Sequence, residues 1–316
     1  MKILDSGQCD LEIVLSSKID LFICASGYES RAVHFSKMAL SSDVVRKVVL
    51  PFKESKILNR ANGDQFFIDN GFTMLPEIGE SDGVVAYKET FTLLTNIAAL
   101  GNVKARLVID YSCMTRAWYG AFINALFEFK SSLQQLEVFF CYSPAKFSRP
   151  SRPGPNHMMG PLNGFRALRA VALPVALVIG LGYEEIRAAG LREYVDPART
   201  VLFYTDPPID PEFLLAVQAN NKSLLTSVPE SDQIKHSLMD MDSTAALLHE
   251  TTSDLAKSFR VVVAPLGVKP FSLLSMLLAA RYQEFDVWRV SGCSLAHPSE
   301  REAEGTVLAY RLLFGI

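Results

Sequence analysis

The sequence lacks most of the signatures that announce an enzyme or a transported protein. It has no G-x-x-x-x-G-K-[ST] stretch, which excludes P-loop nucleotide hydrolysis. Gly180-Leu-Gly182 opens a dinucleotide fingerprint, but Glu185 stands where a third glycine is needed, which argues against NAD at that turn. No G-x-S-x-G elbow occurs. Histidines 34, 157, 236, 249 and 297 have no metal-ligand spacing with one another or with the cysteines, so no metal site is expected. The cysteines are few, odd in number and scattered at 9, 24, 113, 141 and 293. That pattern suits reduced thiols in a cytoplasmic protein rather than a disulfide framework. The opening Met1-Lys-Ile-Leu-Asp-Ser-Gly has no apolar core of a signal peptide. The most apolar run, Leu168 to Leu181, is broken by Pro174 and falls short of the ~20 residues that a bilayer span requires. A formal charge of −3 leaves no global signature for polyanions. Nothing in the sequence identifies a cofactor.

What is present is a repeat. With 316 residues, 49% of them hydrophobic, the chain has material for about two domains. Asp20 to Ala32 reads as an apolar strand, a Gly-Tyr-Glu turn and an Arg opening a helix; Val175 to Ala188 reads the same way. The two glycines, Gly27 and Gly182, stand 155 residues apart. Val48–Pro51 aligns with Val201–Tyr204, Leu107–Ser112 with Val261–Leu266, and Val138–Pro144 with Val287–Cys293, at nearly the same shift. Ordered landmarks at one offset indicate an internal duplication. Apolar strands alternating with helices imply a parallel sheet with right-handed crossovers. The expected fold is therefore α/β: two tandem Rossmann-like, doubly wound units, the first over 1–143 and the second over 174–316. Between them, 144–173 reads as a linker rich in proline, with five basic residues and no acid. Leu11–Leu15 has weak strand character, and Gly305–Phe314 alternates like an antiparallel edge strand.

Ligands of such sheets sit beyond the carboxyl ends of the strands, where strand order reverses. Ser26, Gly27, Tyr28, Glu29 and Arg31 follow the first strand and belong at that edge. Gly27 permits a tight turn, Arg31 offers a bidentate fork for phosphate, and Glu29 suits a ribose hydroxyl or a general base. The structural alternative is a helix-start carboxylate and an ion pair. Asp110-Tyr-Ser-Cys-Met-Thr-Arg116 follows a later strand and adds Asp110, Ser112, Thr115 and Arg116, unless Asp110 or Ser112 only caps the helix. Cys113 is a further nucleophile candidate, with no histidine beside it in the motif. In the second half the corresponding residues are Tyr183, Glu184, Arg187 and Lys269, and the acid matching Asp110 is missing.

This arrangement resembles the CRISPR-associated Rossmann-fold (CARF) sensors and the two-copy SAVED domains. In those families an acid, hydroxyls and a base follow a late strand, the places Asp110, Ser112, Thr115 and Arg116 hold here. The glycine pair common in that turn is replaced by Ser112-Cys113-Met114. The resemblance covers the strand-turn-helix edges and not the whole chain. It implies capture of a nucleotide second messenger between two such units, a protein effector partner or homo-oligomer, and a setting in bacterial anti-phage defence.

Two readings of function follow. One is a nucleotide-binding sensor or assembly subunit that takes a phosphate-bearing ligand between its halves. The other is a nucleotide-processing hydrolase acting on a glycosidic or phosphodiester bond through Glu29 or Asp110. Whether there is catalysis stays open at this point. The basic segment 146–169 is also compatible with nucleic acid, a reading that its prolines do not favour.

Overall fold

A computed structural model of the chain describes residues 2–54, 56–101, 103–130, 133–149, 156–167, 172–184, 186–292 and 298–315. The chain divides into two units, one formed by 1–146 with 298–316, the other by 147–297. Strands are β1 (Lys2–Cys9), β2 (Leu21–Ser26), β3 (Lys47–Pro51), β4 (Thr73–Met74), β5 (Lys104–Asp110), β6 (Gln135–Tyr142), β7 (Asn156–Pro161), β8 (Val175–Gly180), β9 (Arg199–Thr205), β10 (Gln233–His236), β11 (Arg260–Pro265), β12 (Phe285–Gly292) and β13 (Leu308–Gly315).

The first unit holds a sheet in the order β1-β13-β6-β5-β2-β3-β4. Its five strands from β6 to β4 are parallel. All six residues of β2 are buried, as a continuous apolar run covered on both faces requires. The second unit holds β10-β9-β8-β11-β12-β7, and its strands from β10 to β12 are likewise parallel. Read in chain order within each unit, the parallel strands follow the same sequence, 3-2-1-4-5. The duplication expected from the repeated Gly-Tyr-Glu turns is thus matched strand for strand.

One feature of the repeat lies outside that expectation. Each parallel set is completed by one antiparallel strand beside its last member, β13 on β6 and β7 on β12. These two strands begin 152 residues apart, close to the repeat length. Yet β7 follows β6 in sequence and pairs with β12, and β13 follows β12 and pairs with β6. Sixth strands have been exchanged between the repeats. The C-terminal strand is therefore antiparallel, as its alternation suggests, but it belongs to the first unit rather than 174–316. It is also interior rather than at an edge, because β1 pairs on its other side. The Pro-rich segment is likewise more than a linker, since it contains β7. That strand sits at the sheet edge, where a missing N–H is tolerated. The segment expected as a strand at Leu11–Leu15 is a short helix, and the opening strand is Lys2–Cys9.

Helix starts follow their caps. Thr115 accepts from the N–H of Trp118 to open the helix Arg116–Glu128. Asp82 and Asp240 likewise accept N–H bonds that open Gly83–Ala98 and Met241–Leu255. Cys24 and Cys141 are buried strand residues, and Cys9, Cys24, Cys113 and Cys141 are free thiols; Cys293 lies outside the described residues. Among the described residues no helix is long and apolar enough to cross a membrane.

Candidate functional site

Strand order reverses between β2 and β5, so the turns after Ser26 and Asp110 flank the switch point of the first unit. Ser26 is fully buried and donates to Asp64 at 2.5 Å; Asp64 in turn pairs with Arg60 at 2.9 Å. Gly27 packs under Cys113 and Phe52, where an added Cβ would meet them at 3.5 and 3.7 Å. Tyr28 is half-buried, and burial followed by the charge of Glu29 pushes its phenol up to about 12.

The two turns meet through a continuous network. Arg31 Nε donates to Glu29 Oε2 at 2.5 Å, and Nη1 donates to the carbonyl of Ser143 at 3.1 Å. The Ser143 N–H donates to Ser112 Oγ at 2.8 Å, and Ser112 Oγ donates to Asp110 Oδ1 at 2.5 Å. Asp110 also accepts the N–H of Ser112 at 3.0 Å. Cys113 Sγ lies 3.7 Å from Glu29 Oε2. Glu29, Arg31, Asp110 and Ser112, all expected at one edge, are joined in one network.

The roles inside that network differ from those expected. Arg31 is 3% exposed, Asp110 2% and Ser112 0%, so these three brace the edge from within. Burial opposes the charge on Arg31, but Glu29 overrides it and holds the guanidinium well above its ordinary value. Thr115 is occupied as the helix cap, and its hydroxyl donates to the carbonyl of Glu80 at 2.9 Å. Toward solvent the edge presents Tyr28, Cys113 and Arg116, all half-buried, with the Glu29 side chain only 11% exposed among them.

The residues that sequence reasoning missed come from the far end of the chain. Glu300 Oε1 accepts the backbone N–H of Ser30 at 2.7 Å, and its Oε2 accepts from Asn59 Nδ2. Glu300 also accepts the N–H of Arg301 at 3.1 Å. Arg301 stands 3.8 Å from Glu29 on the side away from Arg31. Its neighbours hold the segment in place: Lys146 pairs with Glu302 at 2.8 Å and the Glu304 N–H donates to the carbonyl of Pro144. No local pattern in Ser299-Glu-Arg-Glu-Ala-Glu304 marks Glu300; only the pairing of β13 with β6 brings it there.

The matching edge of the second unit is built differently. Leu266 and Gly267 both donate their N–H groups to the carbonyl of Gly180, at 2.9 and 2.8 Å. A Cβ on Gly267 would stand 2.3 Å from the carbonyl oxygen of Leu181, and one on Gly182 2.8 Å from that of Leu266. Backbone therefore fills the space between these two turns. Tyr183 joins an aromatic cluster with Phe147 and Phe213, and its carbonyl accepts from Asn220 at 2.5 Å. Glu184 and Arg187 form an ion pair, half-buried on the arginine side. Lys269 opens the helix Lys269–Tyr282. Of the four residues expected there, the structure thus joins Glu184 with Arg187, whereas the contacts of Tyr183 run to its aromatic neighbours and Asn220.

Neither a protein-family model nor a curated protein matches the chain. Among the described residues, no group of three or more His, Cys, Asp or Glu is arranged to hold a metal ion.

Proposed function

We propose that the chain is a nucleotide-recognising sensor or assembly subunit that binds the phosphate-bearing part of its ligand at the carboxyl edge of the first unit. The observation that carries this reading is the place of Glu300. A carboxylate is held at the switch point by the N–H of Ser30, the amide of Asn59 and the N–H of Arg301. That donor set, beside Arg301 and on the sheet edge that Arg116 also follows, suits an anion of the same kind brought by a ligand. Phosphate would compete with Glu300 for it, and Tyr28 and Cys113 would border the rest of the molecule.

Binding is favoured over hydrolysis. Asp110 is buried and committed to Ser112, beyond the reach a general base needs. Glu29 lies between Arg31 and Arg301. A sensor of this type acts by shifting a conformational equilibrium that a protein partner or second copy reads. Bacterial defence against phage is the setting its resemblance to the CARF and SAVED families suggests. The test is a thermal-shift and calorimetric screen across mononucleotides, dinucleotides, NAD and cyclic oligonucleotides, with products read by mass spectrometry. One nucleotide class should raise the melting temperature and remain intact. A cleaved nucleotide, or no response from either the wild type or Glu300→Ala, would overturn the proposal.

A further inference from the structure

The opposite end of the first sheet carries a second polar concavity. At the amino-terminal ends of β5 and β6, Lys104 pairs with Gln135 and Arg106 with Glu137; β13 runs alongside with Leu313 opposite Glu137. These strands are interior to the sheet, and apolar residues are expected on both faces of such strands. Here one face bears charges instead. The five-residue helix Leu11–Leu15 packs on this face beside the core cluster around Phe139. The carbonyl of its Ile13 accepts from Arg106 at 2.7 Å. A cavity of about 390 Å³ remains, lined by Lys18, Lys104, Arg106 and Arg311 with Asp20 and Glu137.

Four bases face two acids, in a chain whose net charge is −3. Both acids are already engaged. Asp20 accepts the backbone N–H of Arg106 at 2.8 Å, and Glu137 bridges Arg106 at 3.0 Å and Arg311 at 2.5 Å. Asp5, 63% exposed, holds the other side of Arg311 at 2.8 Å. The Arg106 guanidinium lies over the ring of Phe139, 4.6 Å from its centroid. Its Nη1 is buried and has no hydrogen-bond partner. A buried charged N–H without an acceptor is rare in folded proteins. Lys18 and Lys104 stand exposed at the rim, Lys18 with its Nζ 3.9 Å from Asp20, as cations that attract an anion.

We infer that this cavity is an anion site for a small phosphate-bearing molecule. It is separate from the carboxyl edge and independent of the function proposed for it. A volume of this size lies at the small end of ligand pockets, on the order of 300–1,000 Å³, which suits a compact anion rather than a polymer. Arg106 and Arg311 supply the less exposed cations of its wall, and Lys18 and Lys104 supply the outer contacts.

The experiment is calorimetric titration of the full chain with inorganic pyrophosphate. The variants are Lys18→Glu/Lys104→Glu at the rim and, as a control, Lys257→Glu at an exposed lysine of the second unit. Rim substitutions touch exposed side chains and leave folding intact, which circular dichroism verifies. Saturable binding, one equivalent of which is weakened roughly 10-fold or more by the rim substitutions and unaltered in Lys257→Glu, is the expected result. Unchanged affinity in the rim variant, or no saturable binding to the wild type, would overturn the site. Succinate binding as tightly as pyrophosphate would overturn the phosphate assignment.

Discussion

The backbone N–H of Ser30 donates to the carboxylate of Glu300 at 2.7 Å, joining residues 270 positions apart in the sequence. This bond ties the turn after the first parallel strand to the segment that leads into β13. It places an acid of the protein itself where an anionic ligand of a doubly wound sheet is expected.

Replacing that acid should therefore have two opposite effects. Glu300→Ala removes acceptors for Ser30, Asn59 and Arg301 and should destabilise the first unit by about 1–3 kcal/mol. The same change should tighten binding of the nucleotide found by screening, because the competing carboxylate is gone. Differential scanning calorimetry reads the first effect and titration calorimetry the second. A lower melting temperature with unchanged or weaker binding would leave Glu300 as a tether alone.

The two arginines of the edge should behave in contrasting ways. Arg31 is 3% exposed and paired with Glu29, so Arg31→Ala leaves a carboxylate without its partner and should cost on the order of 3–5 kcal/mol. Arg116, half-buried at the start of its helix, should tolerate Arg116→Ala with little change in melting temperature. Ligand affinity should nevertheless fall roughly 10- to 100-fold in Arg116→Ala, with partial recovery in Arg116→Lys, which keeps the charge but not the fork. Equal losses of stability in the two alanine variants would contradict this division.

Much of the architecture was legible because buried parallel strands and their glycine turns leave direct marks. The run Leu21–Ser26 and the second Gly-Tyr-Glu turn indicated both sheets and their common order. The site was legible only to the level of which residues gather. A guanidinium suits phosphate and a backbone carbonyl alike, and Arg31 is bound by the carbonyl of Ser143, 112 positions away. Glu300 was invisible for the same reason: within a run of alternating acids nothing local separates it from Glu302. The exchange of β7 and β13 leaves no mark in the sequence, because alternation identifies a strand but not its partner. Which edge a strand joins is settled by tertiary pairing.

The two repeats should respond differently to one methyl group. Gly27→Ala would place a Cβ 3.5 Å from Cys113, an ordinary contact, and should change stability by less than about 1 kcal/mol. Gly267→Ala would place a Cβ 2.3 Å from a backbone oxygen and must push the turns of the second unit apart. A loss of about 1–3 kcal/mol is expected, as for other overpacked sites. Chemical denaturation of the two variants tests the contrast. Comparable curves would mean that the second edge is no tighter than the first.

Acid should weaken the second unit through His236. This side chain ends β10, is 6% exposed and packs against Phe271 with ring centroids 5.3 Å apart. Burial lowers its pKa from 6.5 to about 4, only partly offset by the backbone at Ser237. The folded state therefore prefers neutral imidazole, whereas the unfolded chain takes up a proton as pH falls through its ordinary value. Stability from this group is intact above about pH 6.5 and is lost progressively toward about pH 4, where the folded imidazole also becomes protonated. A shift of this size corresponds to about 3 kcal/mol over the full window. Urea unfolding at about pH 7.5 and about pH 4.5, compared between wild type and His236→Phe, isolates the contribution. The variant lacks the titrating group, so its loss of stability between the two conditions should be smaller by about 2–3 kcal/mol. An equal loss in both proteins would show that His236 is not the group that makes this unit acid-sensitive.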